Sequence, residues 1–188
     1  MTSQSSLEKA TSPEGPPPAA TVTDADLQRW AGEAIDEALA YGARQVQAEG
    51  TEAAAALLRA GDPAASGYCH YALAQGTAAH LASLTDDIKS VYIWESDVSP
   101  EEASVGDPSA LPLMHLIVWV ERKTAALLSV IASLDRALAA AYAQQVGLPR
   151  LAHLLDVQVV DDADVRHRVG SAAMLSSISQ RPMRIWQR

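Results

Sequence analysis

The run Leu113-Met-His-Leu-Ile-Val-Trp-Val120 constrains this chain more than any other segment. A continuous apolar stretch of this kind fits a strand covered on both faces, which places it at the middle of a sheet. His115 is its single polar residue. Before it, Val91 and Ile93 alternate with Tyr92 and Trp94, the period of a half-buried strand, so Ile88 to Ser96 reads as its neighbour. After it, Leu127, Ile131, Leu134, Leu138 and Tyr142 form one apolar stripe along a helix from Arg122 to Val146, ended by Gly147 and Pro149. Leu154 to Val160 follows as a third strand.

The remaining elements are helical at the front and mixed at the back. Met1 to Val22, with Pro13 and Pro16-Pro17-Pro18, has too little apolar surface to offset chain entropy and is expected to be a disordered tail. Thr23 and Asp26 look like a helix start, and Leu27, Trp30, Ala34, Ile35, Ala38 and Leu39 recur at helical spacing behind them. Gly50 breaks this helix before Thr51 to Ala60, and Gly61-Asp62-Pro63 ends the segment. A third helix from about Ala64 to Leu84 presents Cys69, Leu73, Thr77, His80 and Leu84 along one face. Ser99-Pro100-Glu101-Glu102 is read as a short helix inside an acidic connection from Glu95 to Pro112. Asp161-Asp162-Ala163-Asp164 caps a final helix reaching about Ser177, and Met183 to Trp186 is read as an edge strand. The expected organisation is a tail (1–22), a helical arm (23–84) and an α/β core with a C-terminal helix and basic tail (85–188).

Composition narrows the function classes. The formal net charge of −9 opposes non-specific attraction to phosphate backbones, so there is no strong nucleic-acid signal. The lone Cys69 excludes an intramolecular disulfide framework and reads as a small buried hydrophobe. No apolar signal sequence and no run read as long enough to span a bilayer point to a cytoplasmic protein without a membrane partner. Arg166, Arg168, Arg181, Arg184 and Arg188 follow Asp164 without a carboxylate among them and are expected to fold back on the acidic body. Alanine- and glycine-rich helical faces permit close packing with another copy, so self-association is expected, with a protein partner as the other option.

The order of helix, strand ending in serine, acidic connection, buried strand, long helix and strand with an early aspartate resembles the minimal nucleotidyltransferase domain of the polymerase beta superfamily. The resemblance covers about Leu73 to Ser177 and implies an α+β fold with a mixed sheet and flanking helices, preceded by the helical arm. In that family a Gly-Ser turn holds nucleotide phosphates, and the matching residues here are Glu95 and Ser96. An Asp-x-Asp pair that binds two metal ions corresponds to Leu113 and His115, and a third acid corresponds to Asp156. Only Ser96 and Asp156 fit the pattern.

Leucine offers Mg2+ no oxygen, and Glu95 puts negative charge where phosphates would approach. The resemblance therefore implies a catalytically silent domain that works as a binding or assembly module without a metal or cofactor. Glu95, Ser96, His115 and Asp156 are its candidate ligand-binding residues, and His115 with Asp156 is the one candidate catalytic pair. The alternatives are an active Mg2+-dependent nucleotide-handling enzyme with a rebuilt site, and a helix-driven oligomeric scaffold. His70, His80, His153 and His167 lack the spacing of a zinc site, and the loop acids Glu95, Asp97, Glu101, Glu102 and Asp107 lack that of a calcium loop. Trp30, Trp94, Trp119 and Trp186 lie in different elements and read as core anchors.

Overall fold

Thr23 begins the first helix with a reciprocal cap. Its hydroxyl accepts from the Asp26 backbone N–H at 3.2 Å while the Asp26 carboxylate accepts from the Thr23 backbone N–H. The Thr23 hydroxyl and the Arg29 guanidinium hold the Asp26 carboxyl below its usual range. Helix α1 (Asp24–Gln45) follows, then α2 (Thr51–Arg59), whose N-cap Gly50 has φ +95°, a conformation that favours glycine. Asp62 accepts from the Ala65 N–H at 2.8 Å and Pro63 occupies the first turn, so α3 (Pro63–Leu84) starts where its sequence marks it.

A computed structural model describes residues 23–94, 114–149, 151–177 and 181–188. The expected disordered tail and the acidic connection with its short helix lie outside the described residues, as do Glu95, Ser96 and Leu113. The fold is α+β. Strands β1 (Ile88–Trp94), β2 (Met114–Val120), β3 (Leu155–Asp161) and β4 (Met183–Gln187) form one mixed sheet in the order β3-β2-β1-β4. β2 is an interior strand, antiparallel to β1 and parallel to β3, with helix α4 (Ala125–Val146) as the crossover. β4 adds antiparallel to β1 at the edge, as expected, and Arg188 folds back to bond the backbone carbonyl and the carboxylate of Asp86.

Side chains alternate across β2 because successive residues of a strand point to opposite faces. Met114, Leu116, Val118 and Val120 enter a continuous core with Leu134 and Leu138 of α4, Leu73 and Leu81 of α3, and Leu27 and Leu39 of α1. α3 and α4 lie against the sheet and α1 packs on both of them, so the N-terminal helices share one core with the sheet. On the opposite face Ile117 is buried with Val160 beneath Ala172. The stripe Leu127, Ile131, Leu134, Leu138 and Tyr142 is buried along its length. α4 is also long and apolar enough to cross a membrane by length and composition, with a mean hydropathy of 1.4, which corrects the reading that no run reaches that length. Core helices pass the same test, and this one carries its stripe into the core.

Two further expectations need correction. The final helix does not reach Ser177: α5 (Asp162–His167) stops where Arg168 turns left-handed at φ +54°, and Gly170 at φ +53° leads into a 3-10 helix, Gly170–Ser176. Glycine adopts that turn without the steric cost a side chain would bring, so the break sits beside it. The four tryptophans are only half-buried and sit at the margins of the core.

Asp135 is the acid that the apolar stripe of α4 conceals. It is 7% exposed, and its Oδ1 accepts from the backbone N–H groups of both Leu154 and Leu155 at 2.8 Å each. Its Oδ2 lies 2.6 Å from His153 Nδ1. One carboxylate thus ties the crossover helix to the first residues of β3. Asp135→Ala leaves two buried donors without an acceptor and is expected to cost about 2–6 kcal/mol, since each orphaned group costs ~1–3 kcal/mol. Asp135→Asn, which keeps one acceptor oxygen, should lose less. Urea unfolding curves of the two variants check this, and equal losses would rule out the amide-bridging role.

Candidate functional site

Register places three chemically capable side chains in one row across the sheet. His115 on β2 pairs with Trp94 on β1 and with Asp156 on β3, so all three project from the face opposite the helices. His115 Nδ1 lies 2.9 Å from Asp156 Oδ2, and the rings of Trp94 and His115 stand 5.0 Å apart, tilted by 57°. Gln158, two residues along β3 on the same face, donates to Asp156 Oδ1 at 2.9 Å. The His115 side chain is 22% exposed and that of Asp156 38%.

An ionised carboxylate only accepts hydrogen bonds, so Asp156 draws the His115 proton to Nδ1 and leaves Nε2 with the lone pair while the ring is neutral. Such a couple can take up a proton at Nε2. It is poorly suited to hold Mg2+. The ion wants several oxygen ligands, whereas His115 offers nitrogen and both Asp156 oxygens are already engaged. The structure therefore brings together two of the candidate residues, His115 and Asp156. Glu95 and Ser96 lie outside the described residues.

Sequence reasoning missed two partners. Trp94 ends the adjacent strand and Gln158 follows Asp156 at the strand period; both signals were present in the order of residues. It also missed the polar cluster at the other end of the face, where Asp162 accepts from Trp119 Nε1 at 2.8 Å and from Lys89 Nζ at 2.6 Å. Lys89 and then the Trp119 indole hold the Asp162 carboxyl below its usual range. Lys123 does the same for Asp164, which also completes the cap of α5 with Asp161. This cluster pins α5 to the sheet.

The other histidines occupy separate places, and among the described residues no three His, Cys, Asp or Glu side chains gather as a metal would require. His153 belongs to the Asp135 brace, and His167 bonds the Ala163 carbonyl. His80 stacks flat on Trp30 at 4.1 Å, and its Nε2 is buried without a hydrogen-bond partner among the described residues. His70 lies 6.2 Å from the Tyr142 ring with its Nε2 in the same condition. Burial lowers both imidazoles, His70 to about 4. Cys69 is buried against Gly42, where a methyl group would collide with its sulfur, and burial pushes the thiol up to about 11. It is packing rather than chemistry.

Comparison with protein-family models, with curated proteins and with solved structures returned no match.

Two measurements follow from this geometry. His70 is neutral in the fold and charges in the unfolded chain below its ordinary value of 6.5, so the unfolded state binds more protons between that pH and about 4. Stability is then present above pH 6.5 and is lost as pH falls, by about 2 kcal/mol near pH 5 from His70 alone. His80 adds to the slope in the same direction. Chemical denaturation at pH 7 and pH 5 should show the loss, and His70→Gln should flatten it; an unchanged slope in that variant would exclude His70 as its source. Nitrogen-15 correlation spectra of the neutral His115 ring should show the proton on Nδ1. A ring protonated on Nε2 would mean that the Asp156 bond is not formed in solution.

Proposed function

We propose that this chain is a catalytically silent nucleotidyltransferase-like domain that works as a binding or assembly module. One observation carries the reading. Where the resemblance calls for a cluster of carboxylates, His115 is bonded to Asp156, whose other oxygen is held by Gln158. A mixed sheet with a parallel β2-α4-β3 unit supplies the strand arrangement on which that comparison rests. At the two positions that the resemblance matches to a metal-binding aspartate and to the phosphate turn, the sequence has Leu113, which carries no side-chain oxygen, and Glu95, whose charge has the wrong sign for phosphate. A two-metal transfer depends on ions that clamp both the attacking and the leaving oxygens, and these residues do not fit such a pair.

What remains is a half-buried face with a histidine, a tryptophan edge, a glutamine and one acid. Groups of this kind recognise a ligand by directed hydrogen bonds and ring contact without carrying out chemistry on it. The Asp156 carboxylate sets the His115 tautomer and so decides which of its ring nitrogens can accept from a ligand.

The purified chain is expected to transfer no nucleotidyl group to protein, RNA or small-molecule acceptors with Mg2+ or Mn2+, and to show no Mg2+-dependent thermal stabilisation by nucleoside triphosphates. Leu113→Asp combined with His115→Asp should restore Mg2+ binding more readily than transfer, because Glu95 is still present. Metal-dependent incorporation of labelled nucleotide by the unmodified chain, lost on Asp156→Ala, would overturn the silent-domain reading and establish an active enzyme with a rebuilt site.

A further inference from the structure

Opposite the sheet, α1 and α3 enclose a shallow groove of about 470 Å³ on the outer side of the helical layer. Ala34 and Ala38 of α1 and Gly76 of α3 make it low-walled. A Cβ added at Gly76 would meet no atom within 4 Å, so the backbone there faces open space. Side chains this small let another helix approach closely.

The charges along the groove are ordered. Glu33 stands near the middle of α1, Glu37 one turn further on and Arg44 in its last turn, where the guanidinium rests over the Tyr41 ring at 5.9 Å. Among the described residues none of these three forms an ion pair, whereas the neighbouring Arg29 is engaged by Asp26. Glu33 and Arg44 are separated by about 16 Å along the helix axis at 1.5 Å per residue. Such a pattern is its own complement. An antiparallel copy of α1 lying in the groove brings its Arg44 to Glu33 and its Glu33 to Arg44, related by a two-fold axis, and sets Glu37 opposite Ala40 of the other copy. Closed two-fold pairs of this type are the commonest assemblies of soluble chains.

We propose that the α1–α3 groove is a homodimer interface whose occupant is α1 of a second copy of this chain. The proposal names the partner for the assembly-module reading and rests on it. It differs from a generic apolar contact because the Glu33–Arg44 polarity fixes the two helices antiparallel and rejects the parallel arrangement, which would set like charges together.

The test is sedimentation velocity and light scattering of the full chain at micromolar and higher concentrations. A mass of two chains is expected. Glu33→Arg or Arg44→Glu alone should weaken the dimer about tenfold or more, since each reversal turns two symmetry-related attractions into repulsions. The two reversals combined in one chain should restore it. Gly76→Leu, whose Cβ meets no neighbouring atom within 4 Å, should block it while circular dichroism shows the fold retained. A monomer throughout would overturn the proposal, and so would a dimer indifferent to both single reversals. A monomer that instead binds a lysine- and arginine-rich peptide through Glu33 and Glu37 would replace the second copy with a basic partner. None of these outcomes changes the nucleotidyl-transfer measurement, so the groove and the silent site can fail separately.

Discussion

The Asp135 carboxylate is the interaction on which the alignment of the sheet depends. β2 and β3 are parallel, so the chain must leave one end of the sheet, cross through α4 and return to the same end in the correct register. Asp135 receives the amides of Leu154, just before the returning strand, and of Leu155, its first residue, and the Met114 amide donates to the Leu154 carbonyl at 3.0 Å. Together these bonds set Leu155 opposite Met114 and therefore Asp156 opposite His115. A shift of one residue would turn Asp156 toward the helices and Leu155 away from them. The buried acid on a distant helix thus decides whether the pair on the other face exists.

Much of this fold was legible because its elements carry strong local signals. The stripe of α4, the continuous run of β2, the caps at Thr23 and Asp62 and the stop at Gly147 all match the elements that form. The end of the chain was less legible. The acids at Asp161 to Asp164 start a helix, but their sequence does not reveal that Arg168 and Gly170 turn it after two turns. Pairwise geometry was only partly readable. His115 and Asp156 could be placed on neighbouring strands from element order, whereas Gln158, Trp94 and the whole Asp135–His153 brace required the register. Asp135 did leave a trace, as an acid on the same helical face as Ile131 and Leu138, where a solvated acid has no place.

The two faces of the sheet follow different rules. The helical side is almost entirely aliphatic, and its few polar atoms are backbone-linked or, like Thr77 and the Nε2 atoms of His70 and His80, buried without a partner among the described residues. On the other side, polar contacts bracket a small apolar patch around Ile117 and Val160: His115 with Asp156 at one end, Asp162 with Lys89 and Trp119 at the other. Stability is therefore concentrated on one face, and the other can vary its side chains at lower cost. The His115–Asp156 pair lies on this second face.

β1 holds an interior place in the sheet, yet one of its neighbours is the last of the described strands. During synthesis β1 meets β2 early, while β4 emerges only after α4, β3 and α5. Until β4 pairs with it, that side of β1 is an open hydrogen-bonding edge. Such an edge is a template for pairing with another nascent chain. The Arg188 clasp on Asp86 acts at the end of this interval, fastening the closing strand beside the start of the strand it covers.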